Sequence, residues 1–286
     1  MRIAYQGEPG AYSEAAALKW RPEADVQACP AFEDVFEAVE SGRATCGVLP
    51  IENSIGGTIH RNYDLLLNHE LRIIGEVELP VVHALVALPG TGLGHVRTIY
   101  SHPQALAQCD RFLRSLSGVE VVATYDTAGS ARLIAERRLA EAAAIASERA
   151  AELFGLQVLK ASIQDFADNI TRFLVVGRGS ATQESLRLPN ANKTTIVFAL
   201  PNEPGSLFKA LSVFALRGID LTKIESRPIP GRPWEYLFYT DLAAGLHEFR
   251  TGRALSHLGE FAPSVRILGS YEATPRVGPP GEATAR

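Results

Sequence analysis

Side chains able to do chemistry gather in short polar segments next to apolar, strand-like runs. They are Glu52-Asn53-Ser54, Ser101-His102-Pro103-Gln104 running on to Gln108, Asp126-Thr127, and Thr171-Arg172, with Ser13 closing an earlier Gly7–Ser13 loop. Most of these groups are uncharged donors. Held in fixed orientation, such donors stabilise negative charge that develops in a transition state. Each segment also reads as local structure, because Ser13, Asp126, Thr127 and Ser147 stand where helix N-caps belong. Glu52 becomes an acid if burial raises its pKa, whereas a loop carboxylate is otherwise simply solvated. His102, next to Pro103 at a helix start, is explained structurally at least as well as by proton transfer.

Other chemistries leave no trace. Seven histidines and three cysteines show no metal-ligand spacing, so no metal is expected. Gly90, Gly92 and Gly94 follow Pro89 as a turn without the last spacing of a dinucleotide fingerprint. The Gly7–Gly10 loop lacks the Lys-Ser/Thr of a phosphate loop, and no Gly-x-Ser-x-Gly elbow occurs. A net charge of −4 gives no basic field for nucleic acid or an anionic membrane surface. No apolar run approaches the roughly 20 residues of a membrane span. Cys29, Cys46 and Cys109 are widely spaced and suggest a reducing compartment. Met1-Arg2-Ile3-Ala4-Tyr5 goes straight into a strand-like pattern with no apolar targeting stretch, so a cytoplasmic location is expected.

Strands separated by single helices must position these groups. Strands are expected at Arg2–Tyr5, Cys46–Ile51, Leu71–Leu88 with a break at Pro80, Thr98–Tyr100, Val119–Thr124, Ala142–Ala146 and Arg172–Val176. Helices are expected from Ser13 to Trp20 and at Phe32–Glu40, Thr58–Leu67, Pro103–Ser115, Ala128–Arg138 and Ser147–Phe154. This pattern is α/β, whose ligands bind beyond the carboxyl ends of the strands. After a Gly/Ser-rich linker the order becomes βαββαβ: Thr194–Leu200, Gly205–Leu216, Leu221–Arg227, Glu235–Asp241, His247–Leu258 and Val265–Leu268. That order is the ferredoxin-like arrangement. The chain's end, rich in Pro, Gly and Ala, is expected to be disordered.

The polar segments together closely resemble prephenate dehydratases. Asn202-Glu203-Pro204-Gly205-Ser206-Leu207 with Glu225-Ser226-Arg227-Pro228 resembles the ACT domain of phenylalanine-regulated enzymes. Ser206 stands where the family usually has Ala. The resemblance implies a bilobed, periplasmic-binding-protein-like catalytic domain at residues 1–178, with lobes 1–79 plus 163–178 and 80–162. It further implies a linker at 179–192, an ACT domain at 193–272 and a tail at 273–286. The implied reaction converts prephenate into phenylpyruvate, with no cofactor, because formation of an aromatic ring drives it.

On that resemblance Thr171, Asn53, Ser101, Gln108 and Glu52 are candidate catalytic residues. Ser13, Ser54, Thr127 and Arg172 are candidate substrate ligands, Arg172 serving either to support the loop or to bind the side-chain carboxylate. Asn202, Pro204, Gly205, Ser206, Leu207, Glu225, Ser226, Arg227 and Pro228 would hold L-phenylalanine at a subunit interface, so a homodimer or homotetramer is expected. Arogenate is an alternative substrate, and a non-catalytic bilobed amino-acid sensor is the alternative of another class.

Overall fold

The computed structural model describes residues 1–179, 189–229 and 231–274, and its contacts divide the chain into two units. The first unit comprises Met1–Leu65 and Val77–Leu174. It begins with β1 (Arg2–Gln6), α1 (Tyr12–Trp20), β2 (Asp25–Cys29), α2 (Phe32–Glu40), β3 (Cys46–Asn53), β4 (Gly57–Thr58) and α3 (His60–Asn68). β5 (Arg72–Pro80) and β6 (Ala84–Ala87) follow, then β7 (Thr98–Ser101), α4 (Pro103–Gln108) and α5 (Asp110–Arg114). The unit closes with β8 (Glu120–Ala123), α6 (Thr127–Arg137), β9 (Ala142–Ala146), α7 (Glu148–Phe154), β10 (Gln157–Lys160) and β11 (Ile170–Gly177). The chain changes unit within α3, within β5 and within β11.

Two sheets make this unit a pair of lobes. In one, β5, β11, β3, β1 and β2 lie in that order, with β1 parallel to both β2 and β3. In the other the order is β10–β6–β9–β7–β8, with β7 parallel to β8 and β9, and β6 antiparallel to its neighbours. β9 reads Ala-Ala-Ala-Ile-Ala and is buried throughout. Its small side chains let α6 pack closely through Ala128, Ala131 and Ile134. Local signals set the helix starts. Asp126 accepts a bond from the Gly129 N–H at 2.7 Å, and Ser147 accepts from Ala150 at 3.0 Å.

Several sequence expectations are corrected. Ser13 does not cap α1, which starts one residue earlier at Tyr12. The Glu14 carboxylate instead takes the Gly10 N–H at 2.7 Å. Thr127 is the first residue of α6, and Asp126 is its cap. The helix expected over Pro103–Ser115 is two helices broken at Cys109. Asp165 competes for its backbone, donating its N–H to the Gln108 carbonyl at 2.7 Å and accepting the Arg111 N–H. β3 runs on through Asn53, so Glu52 and Asn53 belong to a strand, not a loop. β2 and β10 had no counterpart in the sequence reading. Both are short edge strands with weak apolar patterns.

The second unit comprises Leu66–Glu76 and the described residues between 175 and 274. It contains β12 (Lys193–Leu200), α8 (Ser206–Ala215), β13 (Leu221–Ile229), β14 (Arg232–Leu242), α9 (Phe249–Gly259) and β15 (Ser264–Tyr271). The strand order β13–β14–β12–β15 is antiparallel throughout, and the connection is the expected βαββαβ. Phe198, Phe214, Val213, Leu242 and Leu258 fill its core between sheet and helices. Residues 180–188 of the expected linker, and all but the first two residues of the expected tail, lie outside the described residues. Among the described residues no helix is long and apolar enough to cross a membrane.

Candidate active site

A cavity of about 400 Å³ opens in the first unit. That volume suits a small organic acid. One lobe supplies Gln6 and Gly7 after β1, Tyr12 and Ser13 at the start of α1, Asn53 at the end of β3, and Thr171 on β11. The other supplies His102 at the cap of α4, Gln104 and Gln108 along it, and Tyr125, Asp126 and Thr127 at the start of α6. Val81 and His83 come from the segment that crosses between the lobes. The α1 loop meets α7 at Gly10, whose φ is +88°. A Cβ there would lie 2.9 Å from the Ala150 backbone, so only glycine fits.

The buried polar groups form one directed network. The Asn53 side-chain oxygen accepts the backbone N–H groups of Gly56 at 2.6 Å and Ile55 at 3.1 Å, which fixes its amide orientation. Its Nδ2 therefore donates, to Asn169 Oδ1 at 2.7 Å and to Thr171 Oγ1 at 2.9 Å. Asn169 in turn donates from Nδ2 to Gln108 Oε1 at 3.0 Å, and Gln108 donates from Nε2 to Asn53 Oδ1 at 3.4 Å. Thr171 Oγ1 accepts within this network, so its single proton is left for a ligand in the cavity. One N–H of Gln108 is likewise left over.

The remaining candidates divide. Ser13 and Thr127 line the cavity, while Glu52, Ser54, Ser101 and Arg172 are not among its lining residues. Glu52 and Arg172 neighbour Asn53 and Thr171 on strands, where successive side chains face opposite sides. Ser101 is fully buried and donates to the Ile145 carbonyl at 2.6 Å. Ser54 donates to the Asp168 carbonyl at 2.7 Å and accepts the Ile170 N–H at 2.9 Å, tying the end of β3 to the start of β11. Both serines support strand ends.

Residues not singled out from sequence complete the cavity. Tyr12 and His83 contact each other through Tyr12 Oη and His83 Nδ1 at 2.9 Å, and Arg61 brings a cation that Glu33 holds at 2.7 Å. Burial raises the Tyr12 phenol far above its usual range and lowers the His83 imidazole, the bond to Gln108 opposing the latter shift. Burial, aided by Asp165, pushes the Cys109 thiol up to about 12, so it stays protonated. The first turns of α1 and α6 reach the cavity at Ser13 and Thr127, and their N–H groups and dipoles favour an anion there. No group of three or more His, Cys, Asp or Glu able to hold a metal occurs among the described residues.

In the second unit Gly205 caps α8 with φ +85°, Ser206 is buried, and Leu207 is exposed. Leu200 pairs with Tyr236, which pairs with Pro228. The Asn202–Leu207 turn and the Glu225–Pro228 strand end thus share one end of the sheet, with β14 between them.

A family model described as prephenate dehydratase matches residues 3–181, and one described as ACT domain matches 194–251. An Arabidopsis thaliana protein named arogenate dehydratase/prephenate dehydratase 2, chloroplastic, is 50% identical over 280 residues, covering 95% of this chain and 72% of that one. Arogenate dehydratase 1 of Petunia hybrida is 49% identical over 287 residues, covering 95% and 66%. Among solved structures, a prephenate dehydratase from Arthrobacter aurescens in complex with L-Phe matches with TM-score 0.85 and 35% identity, covering 95% of this chain and 90% of that one. GqqA, described as a novel type of quorum quenching acylase, matches with TM-score 0.88 and 37% identity, covering 96% and 99%.

Proposed function

Because this chain belongs to the prephenate dehydratase family and carries an ACT domain, we propose that it converts prephenate into phenylpyruvate, the committed aromatisation on the way to phenylalanine. The observation that carries this reading is the Thr171 hydroxyl, which lines the cavity and accepts from Asn53, leaving its own proton to donate. As the ring C–CO₂ bond breaks, its electron pair moves into the ring and expels the hydroxyl on the opposite carbon. Carbon dioxide departs, the ring becomes aromatic, and the leaving oxygen takes a proton as water. Thr171 donates to that oxygen as charge develops on it, and Gln108 contributes its spare N–H. A neutral alcohol is a poor acid, so Thr171 relays or shares a proton and does not ionise. The first turns of α1 and α6, with Arg61, receive the substrate's carboxylates. Ile59, Val81 and Ala105 give the cavity apolar wall.

Arogenate differs by an ammonium in place of the keto oxygen, and the plant relatives' names favour it as a second substrate. Asp126, in the cavity lining, offers that ammonium a carboxylate. We assign the catalytic domain to residues 1–178, the linker to 179–192 and the ACT domain to 193–272. The ACT domain binds L-phenylalanine between Asn202–Leu207 and Glu225–Pro228 and lowers turnover. The Arthrobacter complex supports the ligand, and the exposed Phe208 on α8 and Leu216 just after it support a partner copy. A cytoplasmic location is in keeping with three buried free cysteines, which suit a reducing compartment, and a homo-oligomer is taken as the working form. Purified protein is to be incubated in parallel with prephenate, arogenate and an N-acyl homoserine lactone. Phenylpyruvate is read by absorbance in alkali, phenylalanine and released acid by chromatography. Acid release without either aromatic product would move the protein to the acylase reading.

A further inference from the structure

His83 is buried, carries no assigned role, and lies in the segment between β5 and β6 where the chain crosses from one lobe to the other. Its backbone is fixed from both sides. The His83 N–H donates to Gln164 Oε1 at 3.0 Å, and its carbonyl accepts the Ile163 N–H at 2.9 Å. The ring Nε2 lies 3.0 Å from Gln108 Oε1.

The direction of that last contact follows from the network around it. Two backbone N–H groups orient Asn53, Asn53 orients Asn169, and Asn169 donates to Gln108 Oε1. The atom facing His83 is therefore an oxygen, and an oxygen of an amide only accepts. The proton must sit on His83 Nε2. Nδ1 then faces the Tyr12 hydroxyl, which has one proton and two acceptors in reach: Nδ1 at 2.9 Å and the Val82 carbonyl at 2.7 Å.

We propose that His83 is a positioning residue for the dehydration. It donates from Nε2 to Gln108 Oε1 and so holds the Gln108 amide with its nitrogen towards Asn53 and the cavity. Without this donor the Gln108 oxygen keeps only Asn169, and a turn of the amide would bring two oxygens together at Asn53. The donor set that meets the leaving hydroxyl would then lose its alignment. This inference rests on the reaction proposed above, but its first test does not.

Nitrogen-15 NMR of histidine-labelled full-length protein at neutral pH reads the proton directly. A protonated Nε2 on His83 supports the inference, and an unprotonated Nε2 overturns it whatever the enzyme turns over. The kinetic test uses two amides that imitate different halves of the ring. His83→Gln can place an N–H near the Nε2 position, whereas His83→Asn reaches only the Nδ1 position. His83→Asn is expected to lose about 10- to 100-fold in kcat with a smaller change in KM, as misaligned catalytic groups do. His83→Gln should recover most of that loss. Equal kcat in the two variants, both folded by circular dichroism, overturns the role. If either fails to fold, the wild-type NMR result decides alone. Absence of turnover in the wild type, with Nε2 protonated, would count against the reaction and not against the hydrogen bond.

Discussion

Replacing Thr171 with Val keeps the shape of the side chain and removes one hydroxyl, which makes it the sharpest probe of the site. Two costs follow, and they are read by different measurements. Thr171 Oγ1 accepts from Asn53 Nδ2 at 2.9 Å, so the variant leaves that buried N–H short of a partner. A buried unsatisfied donor costs about 1–3 kcal/mol. Here the lower end applies, because the Ile170 carbonyl lies 3.4 Å from the same nitrogen and cavity water can reach it. The catalytic cost is larger. Loss of a single donor aimed at a developing oxyanion lowers kcat by about 10²–10³. Thr171→Ser keeps the oxygen and should recover much of the rate. The assay is kcat from phenylpyruvate absorbance, beside calorimetric Tm for each variant. A folded Thr171→Val enzyme with more than about a tenth of wild-type kcat would refute the assignment of the proton to the leaving hydroxyl.

Three other outcomes are expected. His83 has a folded pKa below its ordinary 6.5, so it contributes stability that is fully present above 6.5 and lost as pH falls, because only the unfolded chain takes up the proton. Stability of wild type relative to His83→Gln should decline between pH 7.5 and 5, by at most about 1.4 kcal/mol per pH unit. Parallel curves would show that this histidine titrates normally. Ser147→Ala removes both the cap of α7 and the bond to the Gly10 carbonyl at 2.8 Å, and should cost about 1–2 kcal/mol, read by urea denaturation. Glu225→Ala should relieve inhibition by L-phenylalanine without changing uninhibited kcat. Unaltered inhibition in that variant would move the effector to another site.

Periodicity and turn chemistry made much of the fold legible. The βαββαβ order could be read because apolar runs in residues 194–268 alternate cleanly between short periods and helical ones. Edge strands β2 and β10 escaped because they have one well-buried face at most and carry Asp25, Gln27, Gln157 and Lys160. The break at Cys109 is a tertiary effect: nothing near Cys109 announces that Asp165 will take the Gln108 carbonyl. In the site, Asn53, Gln108 and Thr171 were singled out as uncharged donors through the family resemblance, and the structure brings them together. Ser101 looked the same in sequence, yet its hydroxyl is spent on Ile145. Sequence shows that a donor exists but not which way it points. His83 was hidden for the opposite reason, as the one polar residue inside the apolar run from Val81 to Leu88. Its signal was that isolation, directly after the break at Pro80.

Strand β11 lies beside β3 yet is made long after it, and this matters on the ribosome. Asn53 and Thr171 are 118 residues apart. At roughly 5–20 residues per second, about 6–24 s pass between their syntheses. During that interval the sheet of β1, β2 and β3 has an open edge where β11 will later sit. The lobe around β6–β10 is continuous in sequence and can fold first, because its pairings close over shorter loops. A nascent chain stalled before Thr171 therefore exposes a strand edge without a working site, which makes this stretch the natural client of a chaperone. Slowing translation just after the codons of β11 should raise the soluble yield more than slowing it after β3.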